Sequence, residues 1–229
     1  SVRLCVCSSR VACVVGVQIM VPPRHYCVIA NPVAKADGGA VVFERDRQAK
    51  LRWGDEEIRF EQEPFPLYPG EKLVGKVTPL QVVAPNTALR LRCLRDFQDA
   101  DGTKRVSGDE WLFKGPNTYY PRVDVAVVQM VRAVVVKQNQ ALRLRASKDL
   151  VDWKGTARKT GEEWLMTDVG AYLPQVDEEV IDTVNAYVLT DKKALHLRAT
   201  RTFKDVFGRE RKAGSEWLVH QGMASVHIP

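Results

Sequence analysis

Ala88-Leu89-Arg90-Leu91-Arg92 recurs as Ala141-Leu142-Arg143-Leu144-Arg145 and again as Ala194-Leu195-His196-Leu197-Arg198, at an offset of 53 residues both times. The same offset links Gly102, Gly155 and Gly208, then Gly108, Gly161 and Gly214, then Trp111, Trp164 and Trp217. Between Ala88–Pro121 and Ala141–Pro174, 16 of 34 positions are identical. A fixed period of this kind marks a repeat architecture and precedes any other reading of the chain. Leucine alternating with arginine has the period of two of a strand, with the leucines on one sheet face and the arginines on the other. Asp99-Ala100-Asp101-Gly102 and Asp152-Trp153-Lys154-Gly155 supply the turn chemistry of a tight hairpin. A second short strand follows around each tryptophan, then a polar turn to Tyr119-Tyr120-Pro121 or Tyr172-Leu173-Pro174. β-Branched stretches, Val123–Val136 and Val176–Val188, bridge to the next copy. Glu178–Asn185 reads equally as helix or strand. The expected fold is all-β, an elongated tandem array of roughly 53-residue antiparallel repeats whose cores are completed by neighbours.

Working outward, a fainter copy precedes these, carried by Pro66-Leu67-Tyr68-Pro69; its Trp53 and Ile58 miss the tryptophan position. The expected division is an unmatched segment at 1–24, a divergent repeat at 25–79, repeats at 80–132 and 133–185, and a truncated one at 186–229. The chain has 229 residues, starts at Ser1 and reads as a piece of something longer. With 45% hydrophobic and 27% charged residues it is neither disordered nor collagen-like. No apolar run reaches the roughly 18 residues of a membrane helix, so no membrane partner is expected. Of five cysteines, Cys5, Cys7 and Cys13 crowd the start, and no C-x-x-C pair exists. Reduced thiols in a cytosolic protein are expected.

Catalytic chemistry finds no motif. His25, His196, His220 and His227 have no paired spacing with acids, and His196 stands where the sister copies carry Arg90 and Arg143. There is no G-x-S-x-G, H-E-x-x-H or Walker loop. No enzyme is expected, with no catalytic, cofactor-binding or metal residue, no cofactor and no small-molecule substrate. Asp99-Ala100-Asp101-Gly102 can be weighed as a calcium loop, with Glu110 twelfth from Asp99. However, Lys104 stands where the EF-hand glycine belongs, and Lys154 and Phe207 replace Asp101 in the sister copies. Glu110, Glu163 and Glu216 recur in every copy and pair, on this reading, with the equally recurrent Arg105, Arg158 and Arg211. A net charge of +6 and pI of about 9.1 admit polyanions. The candidate stripe is Arg90, Arg92 and Arg95, then Arg143, Arg145 and Lys148, then Arg198 and Arg201. Recurring acids beside it favour ion pairing within or between subunits over nucleic-acid contact.

Val21-Pro22-Pro23-Arg24-His25-Tyr26-Cys27, Pro64-Phe65-Pro66-Leu67-Tyr68-Pro69-Gly70-Glu71, Thr78-Pro79-Leu80-Gln81-Val82-Val83, Gly108-Asp109-Glu110-Trp111-Leu112-Phe113 and Gln138-Asn139-Gln140-Ala141-Leu142-Arg143-Leu144-Arg145 resemble the N-terminal repeats of the major vault protein family. The resemblance covers about residues 20–229, as the family's second to fifth repeats, the last truncated. It implies antiparallel β repeats and a structural role. Many identical subunits would stand side by side as the wall of the vault, a hollow ribonucleoprotein barrel that is cytoplasmic and also nuclear. Implied partners are further copies of the chain, vault poly(ADP-ribose) polymerase, telomerase-associated protein and vault RNA. It also carries a family proposal of calcium at the turn matching Asp99–Gly102. Ser1–Met20 does not resemble the family's first repeat, and no stretch of these 229 residues resembles the family's shoulder domain or long cap helix. The alternative is a protein- or RNA-binding β-repeat scaffold that builds no shell.

Overall fold

The computed structural model describes residues 18–99 and 101–228; Cys5, Cys7, Cys13 and most of the unmatched N-terminal segment lie outside them. Every regular element among the described residues is a strand. The chain divides between Met130 and Val131, two residues before the end of the second repeat's last strand, into two compact units.

In the first unit, the first repeat holds β1 (Gln18–Val21), β2 (His25–Ala30), β3 (Glu56–Arg59), β4 (Gln62–Pro66) and β5 (Lys72–Pro79). The second holds β6 (Gln81–Val83), β7 (Thr87–Cys93), β8 (Phe97–Gln98), β9 (Lys104–Arg105), β10 (Glu110–Lys114), β11 (Asn117–Tyr119) and β12 (Val125–Arg132). In the second unit, the third repeat holds β13 (Val134–Val136), β14 (Gln140–Ala146), β15 (Leu150–Val151), β16 (Ala157–Arg158), β17 (Glu163–Met166), β18 (Gly170–Tyr172) and β19 (Glu178–Asn185). The fourth holds β20 (Tyr187–Val188), β21 (Leu195–Arg198), β22 (Phe203–Lys204), β23 (Glu210–Arg211), β24 (Glu216–Val219) and β25 (Val226–His227).

One plan recurs. A major sheet is built on a central strand, in the orders β3-β2-β5, β10-β7-β12 and β17-β14-β19, and among the described residues as β21-β24 in the fourth repeat. A two-stranded minor sheet accompanies each: β1-β4, β6-β11, β13-β18 and β20-β25. An outer hairpin completes repeats two to four as β8-β9, β15-β16 and β22-β23. The first repeat carries a longer arm instead, held by the bridges Val33↔Leu51, Lys35↔Val41 and Phe43↔Ala49. Glu178–Asn185 is a strand, paired along its length with β14, so the tertiary partner decides what local pattern left open.

The alternation read from the sequence sets which side faces the core. Leu89, Leu91 and Cys93 are buried while Arg92 is exposed, and Leu142, Leu144 and Ala146 are buried while Arg145 is exposed. Around Leu89 and Leu91 pack Val83 of the minor sheet, Tyr119 and Val125; around Leu142 and Leu144 pack Val136, Trp164 and Met166. The first repeat builds the same kind of core from Ile19, Val21, Cys27 and Ile29. Each cluster is a handful of side chains drawn from both sheets, at about 1.5–3 kcal/mol per buried side chain. The core of each of these repeats is shared between its two sheets.

Left-handed backbone marks the tight places. Asn86 and Asn139 turn the chain from minor to major sheet at φ near 60°, which asparagine tolerates better than most residues. Gly115 is needed for a different reason: a Cβ there would sit 2.2 Å from the Ala84 carbonyl oxygen. β1 begins ahead of residue 25, the expected start of the first repeat, and pairs with β4.

Candidate functional site: the two faces of the repeat

The outward face of the major sheet is charged and cross-linked. Antiparallel register sets Glu110 opposite Arg92, Glu163 opposite Arg145 and Glu216 opposite Arg198. Glu110 takes Arg90 at 2.5 Å and Arg92 at 2.6 Å. Hydrogen bonds from Arg92 and then Arg90 outweigh the effect of burial and hold its carboxyl below the usual range. Arg145 reaches Glu163 at 2.9 Å and Glu179 of the far strand at 3.8 Å, and Arg143 meets Asp182 at 3.4 Å. In the fourth repeat Glu216 lies 3.1 Å from His196 and 3.9 Å from Arg198.

These pairings correct the sequence expectation. Glu110, Glu163 and Glu216 do not take Arg105, Arg158 and Arg211, because cross-strand register offers them nearer arginines. The hairpin arginines lie on β9, β16 and β23 and turn inward. Arg158 reaches Asp152 at 3.0 Å, Arg211 reaches Asp205 at 2.9 Å and Arg105 lies 3.9 Å from Asp99. Each also lies over the tryptophan of its repeat, 4.6 Å from the ring centre at Trp111, 5.1 Å at Trp164 and 4.5 Å at Trp217. Asp, Arg and Trp thus form one repeated brace that the sequence showed only as three unconnected periodicities. The first repeat lacks it: Glu57 faces Ile29 where Trp111 faces Leu91, and Arg59 lies over Phe65 and bonds the buried Glu71 at 2.7 Å.

The turn weighed as a calcium loop serves the same brace. Asp152 Oδ1 accepts the amides of Lys154 and Thr156 at 2.9 and 2.8 Å while Oδ2 takes Arg158. Asp205 does the same with Phe207, Arg209 and Arg211. Asp99 faces Arg122 at 3.2 Å besides Arg105. Burial alone would raise the Asp152 and Asp205 carboxyls, but the turn amides and the guanidinium outweigh it and hold both below the ordinary aspartate value. Among the described residues, no group of three or more His, Cys, Asp or Glu side chains is placed to hold a metal ion. His196, His220 and His227 are brought to no common acid; His227 stacks on Phe207 at 6.0 Å, and burial pushes its ring below the ordinary histidine value. Cys27 and Cys93 are free and buried, and burial pushes both thiols up.

Two family models described as "Major Vault Protein repeat domain" match the chain, one at residues 18–77 and the other at 81–122, 134–175 and 187–225. The chain belongs to the major vault protein family. Its relatives in that family include the major vault protein of Gallus gallus, 62% identical over 211 residues, which are 92% of this chain and 25% of the relative. Major vault protein alpha of Dictyostelium discoideum is 61% identical over 212 residues, 92% of this chain and 25% of the relative. The Homo sapiens major vault protein is 57% identical over 211 residues, 92% of this chain and 24% of the relative. The chain spans about a quarter of the length of these major vault proteins.

Proposed function

We propose that this chain is a non-catalytic wall segment of a vault-like particle, assembling side by side with identical copies into a hollow barrel. The observation that carries the proposal is the charged face of the major sheet in the second and third repeats: Arg90, Arg92, Arg143 and Arg145 are matched there by carboxylates at 2.5–3.4 Å, which favours a scaffold over an open polyanion groove. The repeat bounds near residues 25, 80, 133 and 186 belong to the same proposal. Within the particle, vault poly(ADP-ribose) polymerase, telomerase-associated protein and vault RNA are the partners, and the location is the cytoplasm and the nucleus. Family membership supports this reading.

Sedimentation velocity over a wide concentration series tests it. The weight-average sedimentation coefficient rises with concentration if copies associate; a monomer at every concentration contradicts the proposal. Titration with RNA at two salt concentrations tests the scaffold alternative, since phosphate contacts make affinity fall steeply with salt. Paired arginines predict no such binding.

A further inference from the structure

In the second and third repeats the outward positions on the central strand of the major sheet are basic, Arg90 and Arg92 or Arg143 and Arg145. The minor sheets do the opposite. Their first strand turns a large apolar side chain to solvent in every repeat: Met20 is 65% exposed, Val82 64%, Val135 61% and Val188 58%, the last beside the exposed Tyr187. The three valines are spaced by the 53-residue period, and their cross-strand neighbours are Thr118, Ala171 and Val226. The solvent face of an antiparallel sheet ordinarily carries polar residues. The first repeat has lost the tryptophan and its brace, yet it still places an apolar side chain here.

The area available decides what covers these positions. One half-exposed valine offers less than about 100 Å², against about 800 Å² per partner in a standard stable interface. A ligand touching one repeat gains too little to bind. Only a partner that meets the feature in every repeat adds these small areas together, and a second copy of this chain carries the same period by construction. Contact between two copies is then weak, and it strengthens with the number of repeats and copies engaged.

We propose that the outward apolar residues of the minor sheets, Met20 and Val82 in the first unit and Val135 and Val188 in the second, lie in the contact between neighbouring copies. This rests on the side-by-side reading above and adds which surface makes the contact. The test places photoreactive benzoylphenylalanine at position 135 of the full chain and, as a control, at position 206, where Val206 is 78% exposed on an outer hairpin turn. Under conditions where copies associate, crosslinks to a second copy from position 135 exceed those from 206 by about tenfold. Equal or greater crosslinking from 206, with association intact, overturns the assigned surface and leaves side-by-side assembly standing. Absence of association at every concentration overturns both. A second variant, Val82→Thr with Val135→Thr and Val188→Thr, keeps shape and strand preference. With an unchanged melting curve it associates roughly tenfold more weakly; undiminished association of this folded variant contradicts the proposal.

Discussion

Asp152 gathers the amides of Lys154 and Thr156 and the guanidinium of Arg158 on one buried carboxylate, so its removal strands three donors at once. Asp152→Ala is expected to cost about 2–3 kcal/mol, which is about 4–12 °C in a thermal melt of a chain this size. The pH dependence has a definite sign. Because the folded-state value is depressed, the stabilisation is complete above the unfolded value, about 3.9, and is lost as pH falls through the folded value. Melts of wild type and Asp152→Asn taken from neutral to acid pH therefore converge below about pH 4; a gap that widens in acid contradicts this. Gly115→Ala is the second residue to try. Its Cβ meets the Ala84 carbonyl, and overpacking of that kind costs about 1–3 kcal/mol. Asp152 stood out in the sequence only as a turn residue, and Gly115 not at all. Asp152 recurs with Asp99 and Asp205, but recurrence does not say which donors a carboxylate gathers. Gly115 has no glycine counterpart in the sister copies, so no period marked it.

At the scale of the element, strand identity was legible and strand pairing was not. Leu89, Leu91 and Cys93 announced a buried face by simple alternation, and the glycines of the hairpin turns fell where φ is positive, near 78–80° at Gly102, Gly155 and Gly208. Which arginine meets Glu110 depends on register between β7 and β10, and register is a property of two strands, not of one sequence. The exposed apolar positions were hidden for a related reason: Val134-Val135-Val136 is uniformly apolar, and only the pairing with β18 shows that Val136 points in and Val135 out. The two kinds of side chain differ in worth. Arg145 is half exposed and its pairs are weak, whereas Trp164 is 9% exposed and joins the core of its repeat. In urea melts Trp164→Ala is expected to lose about 3–5 kcal/mol, and Arg145→Ala to stay close to wild type. A larger loss at Arg145 than at Trp164 would show that ion pairs, not burial, hold the repeat together.

For the molecule as a whole, the 53-residue period and the family match point to one plan: a small two-sheet unit, repeated, whose major sheet carries cross-strand ion pairs and whose minor sheet leaves an apolar residue outward. Each outward apolar position gains little from a single contact and much from many weak, identical ones. That is the physical content of the wall proposal, and electron microscopy of the concentrated chain tests it most directly. The expected images show ordered arrays of copies lying side by side at a constant lateral spacing. Fields of separate single particles, at concentrations up to the limit of solubility, would contradict it.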